Sequence, residues 1–136
     1  MIKLILGEAG SGKTKQILEM ANQDVETAKG EIAFLEPTSK HLHQLHRDIR
    51  LISTEEFQID TRNSVYGLLC GLLSANYDIE KIYIDSLDKM IGSIDSNIID
   101  FVEMVDELAN DRDIEVIIAC NIEDPEILKS LEKFSN

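Results

Sequence analysis

The chain has 136 residues, of which 43% are hydrophobic and 29% are charged, and this composition is typical of a globular protein with one core. Its formal net charge of -13 argues against a general surface for nucleic acid or for anionic membranes, because both partners require clustered cations. Since no apolar run approaches the roughly 20 residues of a membrane span and the chain enters a strand directly, without a signal peptide, we expect a cytoplasmic protein.

The first predicted strand leads into a phosphate-binding sequence. The strand is the apolar run from Ile2 to Leu6, and the motif G-x-x-x-x-G-K-[ST] follows it. The residues of the motif are Gly7, Glu8, Ala9, Gly10, Ser11, Gly12, Lys13 and Thr14. Glycines let backbone N–H groups turn towards phosphate oxygens, and the helix that follows adds its own free N–H groups. In this pattern Lys13 binds the β- and γ-phosphates, and the Thr14 hydroxyl coordinates Mg²⁺.

Along the rest of the chain, short apolar runs alternate with longer segments of helical periodicity. The runs predict five strands, at Ile2–Leu6, Ile32–Glu36, Arg50–Ser53, Lys81–Asp85 and Glu115–Cys120. The longer segments predict five helices, which begin directly after the loop, at Thr38 or Ser39, at Asp60 or Thr61, near Asp95, and at Asp124-Pro125. Strands that alternate with helices form a parallel sheet covered on both faces.

Local residues mark some of the predicted ends. Gly30 is placed to terminate the first helix, and the second helix carries Leu42, Leu45 and Ile49 on one face. The segment 53–56 offers a capping box behind the third strand. The predicted fold is therefore a three-layer α/β fold with a phosphate-binding P-loop. Its mostly parallel five-stranded sheet is flanked by helices, in a single domain over residues 1–136.

A second half of a nucleotide site is predicted at the end of the fourth strand. Asp85 closes the apolar run there, in the position of an aspartate that completes Mg²⁺ binding in P-loop proteins. Ser86 follows it, where many hydrolysing relatives have a glutamate that polarises water, and Asp88 or Glu8 could substitute. Asn121, just past the fifth strand, is either a polar sensor of the γ-phosphate or a simple turn residue.

At these residues the chain resembles a known family. The loop, the Pro37-Thr38 step and the Ile84-Asp85 strand end resemble the first domain of superfamily 1 helicases. The chain is also similar to the amino-terminal segment of helicase-like ATP-dependent nucleases, and to small stand-alone bacterial ATP-binding proteins of uncharacterised function. The resemblance implies a P-loop NTPase fold of the RecA or helicase type, in which the fifth strand lies between the first and the fourth. It assigns phosphate or Mg²⁺ contacts to Gly7, Gly12, Lys13, Thr14 and Asp85.

The segment 40–50 is the one locally basic stretch of the sequence. It contains three histidines, and a metal site would need them on one face. On a helix His43 and His46 share a face at i, i+3 spacing, whereas His41 points elsewhere. We therefore favour a solvated helix face over a metal site, and a weak contact with nucleic acid stays open.

The resulting functional hypothesis is a cytoplasmic protein that binds ATP and Mg²⁺ and hydrolyses ATP slowly or with stimulation by a partner, as a switch. Lys13 and Asp85 are the candidate catalytic residues, and Thr14 and Asp85 the candidate metal ligands. The expected partner is another protein or a second copy, with nucleic acid disfavoured and no membrane contact. Two alternatives remain open: an interaction module that never hydrolyses its nucleotide, and a small-molecule kinase of the nucleoside type. For the kinase, Arg62 is the most plausible phosphate-binding arginine.

Overall fold

The computed structural model describes residues 1–135, which contain five strands and five α-helices. The strands are β1 (Ile2–Gly7), β2 (Glu31–Glu36), β3 (Ile49–Ser53), β4 (Ile79–Ile84) and β5 (Glu115–Asn121). The helices are α1 (Lys13–Thr27), α2 (Arg62–Ala75), α3 (Leu87–Ile91), α4 (Asn97–Arg112) and α5 (Pro125–Leu131). Short 3₁₀ turns lie at Leu42–Gln44, Thr54–Phe57 and Glu132–Phe134. Within residues 1–135, no helix has the length and apolar character needed to cross a membrane.

The five strands form one sheet in the order β1-β5-β4-β2-β3, and every neighbouring pair is parallel. The expected position of the fifth strand, between the first and the fourth, is confirmed. Because all strands run in one direction, their carboxyl ends meet at one edge of the sheet. Gly7 of β1 is paired with Asn121 of β5, and Leu35 of β2 with Ile84 of β4, so four strand ends lie side by side there.

The alternation of side chains along the strands divides the core into two layers. Ala33 and Leu35 of β2 point into the larger layer with α2, α3, α4 and α5, whereas Ile32 and Phe34 point into the smaller layer against α1. β4 and β5 alternate in the same way. A sheet buried on both faces explains why these strands are nearly continuous apolar runs in the sequence. The predicted three-layer arrangement is confirmed.

The prediction of a helix that begins at Thr38 or Ser39 is wrong. This segment contains a single 3₁₀ turn, and Ile49, which was expected on its apolar face, begins β3 beside Ile32. The side chain of Asn22 on α1 bonds to the carbonyl of Gln44 and to the backbone N–H of His46, both at 2.8 Å. These contacts satisfy backbone groups that a helix would otherwise have paired internally.

Two smaller expectations also differ from the structure, and one short helix was not expected. No capping box forms at Ser53, whose hydroxyl donates instead to the Pro37 carbonyl at 3.1 Å. Helix α1 ends at Thr27, before Gly30, so Gly30 does not terminate it. The five-residue helix α3 was not predicted, since one turn and a half gives too little periodicity to detect. In contrast, the predicted cap at Thr61 is confirmed, with Ser64 as its reciprocal partner.

Candidate functional site

The phosphate-binding sequence forms a loop between β1 and α1, at the carboxyl edge of the sheet. Gly10 and Gly12 have φ angles of 80° and 87°, a left-handed conformation that glycine adopts without steric cost. Lys13 begins α1, and its ammonium donates to the Glu8 carbonyl at 2.5 Å and to Ser11 Oγ at 2.9 Å. The ammonium thus lies among oxygens of the loop itself, where phosphate oxygens could take over as acceptors.

Thr14 and Asp85 meet across the sheet edge, as the sequence predicted. The Thr14 hydroxyl lies 3.2 Å from Oδ1 and 3.1 Å from Oδ2 of Asp85. Asp85 directly follows β4, is 2% exposed, and its backbone N–H donates to the Leu35 carbonyl at 2.8 Å. A hydroxyl beside a buried carboxylate is a set of hard oxygen donors that suits Mg²⁺, so these two residues could hold that ion.

Burial raises the pKa of Asp85 above its ordinary value, and the negative charge of Glu36 adds to this effect. The hydrogen bond from Thr14 and the positive charge of His41 act in the opposite direction. A buried carboxylate with few compensating charges favours the approach of a cation, because the cation replaces the hydration that the carboxylate has lost.

The loop and the strand ends enclose one cavity of about 370 Å³. Seven of the predicted site residues line it: Ala9, Gly10, Gly12, Lys13, Thr14, Asp85 and Asn121. The other three support the loop from outside this lining. Gly7 pairs with Asn121 in the sheet, and Glu8 and Ser11 supply the two acceptors of the Lys13 ammonium. The predicted constellation is therefore brought together in space.

Asp88, which was considered as a substitute for the missing glutamate, also lines this cavity. Its Oδ1 accepts a hydrogen bond of 2.9 Å from the backbone N–H of Asn121, which ties α3 to the end of β5. This bond gives Asp88 a structural role at the cavity wall. Ser86, between Asp85 and α3, has a φ of 60°, an uncommon conformation for a residue with a side chain, and it turns the chain sharply after β4.

Sequence reasoning missed a carboxylate next to Asp85. Glu36 ends β2, the strand beside β4, and is 1% exposed. Its Oε2 lies 2.6 Å from Nδ1 of His41, and its Oε1 accepts a hydrogen bond of 3.2 Å from the His41 backbone N–H. The expectation that His41 lies on a solvated helix face is wrong, because the segment is not helical and the imidazole turns inward. The sequence did offer one indication of Glu36, because it is an acidic residue at the end of an apolar strand, as Asp85 is.

A lysine side chain also lines the site, and nothing in the sequence indicated it. Lys89 of α3 lines both the loop cavity and an adjoining cavity of about 300 Å³. The adjoining cavity is also lined by Thr14, Glu36, His41 and Asp85. Within residues 1–135 its ammonium makes no ion pair. Arg62 lies elsewhere, at the start of α2, 3.5 Å from Asp95.

The fold of this chain is found in a known protein. The chain is similar in structure to the flagellar accessory protein FlaH from Methanocaldococcus jannaschii, with a TM-score of 0.59 at 13% sequence identity. The superposition covers 97% of this chain and 66% of FlaH, so the chain spans just under two thirds of the length of that neighbour. The likeness supports an α/β fold built on a parallel sheet flanked by helices. At this identity the likeness shows the fold alone.

Two comparisons at the level of sequence found no match. No protein-family model matches the chain, and no curated protein matches it. The resemblance to superfamily 1 helicases therefore stays a prediction, and the function has to be inferred from the site itself.

Proposed function

We propose that this protein binds ATP together with Mg²⁺ at the Gly7–Thr14 loop, hydrolyses it slowly when alone, and uses the bound nucleotide to switch a contact with another protein or a second copy. One observation carries the proposal. Lys13 and Thr14 of the loop line one cavity with Asp85, which lies 71 residues further along the chain than Thr14, and this cavity is at the carboxyl edge of a parallel sheet. In open α/β sheets this edge is where ligands bind.

The roles of the site residues follow from their chemistry. The loop N–H groups and the amino end of α1 bind phosphate oxygens, and Lys13 exchanges its two loop acceptors for the β- and γ-phosphates. Thr14 and Asp85 would hold Mg²⁺, which would neutralise charge on the phosphate oxygens. In this proposal ATP and Mg²⁺ bind to residues that already lie close together around one cavity.

Hydrolysis needs a group that orients water, and Glu36 has the best position among the described residues. Its carboxylate ends the strand next to that of Asp85 and faces the adjoining cavity. In the proposed reaction, water attacks the γ-phosphorus, the bond to the bridging oxygen of ADP breaks, and Glu36 accepts the proton that water loses. Both oxygens of Glu36 are engaged by His41 in this structure, and this engagement supports slow turnover by the isolated protein.

A partner would accelerate the reaction by adding or fixing positive charge at the γ-phosphate. Lys89 is an exposed side chain on a short helix, so its ammonium is held weakly at the cavity wall. A surface that orders Lys89, or an arginine from a second molecule, would stabilise the charge that spreads over the γ-phosphate oxygens. Such a requirement couples ATP turnover to contact with the partner.

Titration calorimetry with ATP and Mg²⁺ tests the binding part of the proposal. We expect Lys13→Ala to weaken ATP binding by roughly 10- to 150-fold, because a charge-assisted hydrogen bond contributes about 1.5–3 kcal/mol. Lys15→Ala, which removes an exposed ammonium two residues further along α1, is the matched control and should leave the affinity unchanged. Equal affinity of the wild type and Lys13→Ala would refute the loop as the nucleotide site.

Phosphate release at saturating ATP tests the second part. The isolated protein is expected to turn over more slowly than about one ATP per second, the low end of typical enzymes. Glu36→Gln should reduce this rate by about 10²- to 10⁴-fold, the usual contribution of a positioned acid or base, while ATP still binds. Bound ATP that stays intact, even with cell extract present, would favour the interaction module without hydrolysis instead.

A further inference from the structure

Three potential metal ligands converge beside the loop cavity, from segments that sequence spacing does not relate to one another. Glu36 ends β2, Asp85 follows β4, and His41 comes from the connection between β2 and β3. Their donor atoms all lie within 4.8 Å of one another. Ligands bound to one ion at about 2.0–2.2 Å lie at most about twice that distance apart, so small shifts of these side chains would let all three meet at a single cation.

The charge of this cluster is only partly offset by the protein around it. Glu36 is 1% exposed and Asp85 is 2% exposed, so two carboxylates are removed from water side by side. The side chains that form hydrogen bonds with these carboxylates within residues 1–135 are the imidazole of His41 and the hydroxyls of Thr14 and Ser86. Two buried carboxylates that share so little compensation are costly, and a divalent cation would remove that cost.

The space next to the cluster allows an ion to enter. The adjoining cavity of about 300 Å³ is lined by the three ligands together with Thr14, Ser86 and Lys89. Three protein ligands with open space on one side leave coordination positions for water or for a phosphate oxygen. A site closed on all sides would instead hold an ion for structural reasons only.

The donor set differs from one that Mg²⁺ prefers. Mg²⁺ binds through oxygen and keeps much of its water, whereas an imidazole nitrogen suits zinc, iron, cobalt and similar ions. We infer that Glu36, His41 and Asp85 form a site for a divalent transition-metal ion, next to the oxygen ligands Thr14 and Asp85 that suit Mg²⁺. Asp85 has two carboxylate oxygens and contributes to both positions.

The inference shares Asp85 and Glu36 with the proposed function but does not depend on ATP binding, so the two can be tested separately. The probe is Co²⁺, titrated by calorimetry into the whole, chelator-treated protein without nucleotide. We expect one equivalent of Co²⁺ to bind at least ten times more tightly than Mg²⁺, and visible absorption of the bound ion to report a nitrogen ligand. ATP and Mg²⁺ are titrated in parallel on the same preparations.

His41→Gln is the informative variant, because a glutamine amide can still donate to Glu36 but is a poor transition-metal ligand. It should bind Co²⁺ at least tenfold more weakly and with a changed absorption spectrum, while its affinity for ATP with Mg²⁺ stays within about twofold. Losing a second-sphere partner alone costs 10- to 100-fold in metal affinity, so loss of a direct ligand should cost at least as much. His43→Ala removes an exposed imidazole from the same connection and should behave as the wild type.

Two results would overturn the inference. The first is wild-type protein that binds Co²⁺ no more tightly than Mg²⁺, and the second is His41→Gln with unchanged Co²⁺ affinity and spectrum. Either result, with ATP binding intact, leaves the proposed function standing. Tight Co²⁺ binding by a protein that binds no ATP would instead remove the proposed function and leave the metal site.

Discussion

Asp85 is almost fully buried, and its buried carboxylate lowers the stability of the fold although the proposed binding of Mg²⁺ requires it. Because burial raises its pKa, the folded protein retains a proton that the unfolded chain has already released at intermediate pH. Stability therefore falls as pH rises from the ordinary value of the group through its raised value in the folded protein. Above that window the ionised carboxylate is a constant cost in the protein without bound metal.

Asp85→Asn should consequently stabilise the metal-free protein at neutral pH while weakening the binding of ATP with Mg²⁺. We expect a gain of roughly 0.5–2 kcal/mol, the range of single stabilising substitutions. The amide oxygen still accepts the Thr14 hydrogen bond, so packing is retained. Urea unfolding measured from pH 4 to pH 8 provides the check, and the gap between variant and wild type should widen as pH rises.

The matched control for this measurement is Glu19→Gln, which removes the charge of an exposed carboxylate on α1 and should change stability little at any pH. A stability gap for Asp85→Asn that does not vary with pH would show that the carboxylate is not held at a raised pKa. Destabilisation at neutral pH would show that its charge is compensated better than its surroundings indicate.

Gly30 illustrates how one residue constrains two strands. A Cβ atom built at this position would lie 2.1 Å from the Asp78 carbonyl oxygen, which also accepts the N–H of Glu31 at 2.7 Å. The starts of β2 and β4 can therefore approach this closely only with glycine there. Gly67 and Gly71, both on α2, meet no atom within 4 Å of such a Cβ.

The three glycines should respond in opposite directions to replacement by alanine. Gly30→Ala is expected to cost about 1–3 kcal/mol, because the clash is with backbone that cannot move aside. Gly67→Ala and Gly71→Ala should each stabilise the protein by about 0.5–1 kcal/mol, since alanine favours helix and restricts the unfolded chain. Thermal unfolding of the three variants compares them directly. A neutral Gly30→Ala would mean that β2 can shift away from Asp78.

The strands were the most predictable part of this fold. The central strands are apolar runs buried on both faces, and all five predicted strands overlap the observed ones. The connection after β2 was not predictable in the same way. Leu42, Leu45 and Ile49 have helical spacing, but Ile49 belongs to a strand and Leu45 is buried against α1 by tertiary contacts. Spacing alone cannot distinguish a short helix from a turn followed by a strand.

The candidate site was predictable where one motif specified it and unpredictable where the strand order created it. The loop residues share a contiguous sequence, and Asp85 is a recognisable strand end. Glu36 and His41 reach the site because β2 lies next to β4, and neither sequence distance nor residue type indicates that pairing. Lys89 depends on α3, a helix too short to be recognised from periodicity.

The distribution of charge over the whole chain bears on its partners. The chain has twenty-six acidic residues and thirteen lysines and arginines. Its one basic segment, 40–50, presents fewer free basic side chains in the structure than the sequence suggests. His41 turns inward to Glu36, and His46 lies 3.7 Å from Asp48. This leaves Lys40, Arg47 and Arg50 as the exposed cations of the segment. A protein partner with a basic surface fits this charge better than an anionic polymer does.

We therefore expect negligible binding to single-stranded DNA or RNA at about 0.15 M salt. Affinity for nucleic acid comes largely from cations that displace counterions, and three such contacts give a slope of only about -2 in log affinity against log salt. Fluorescence anisotropy of a labelled oligonucleotide, at about 0.05 M and 0.15 M salt, measures this. Submicromolar binding at the higher salt would contradict the prediction. If it persisted in a variant with Arg47→Glu and Arg50→Glu, the contact would have to lie outside the basic segment; if it vanished, three cations would have sufficed and the helicase resemblance would gain direct support.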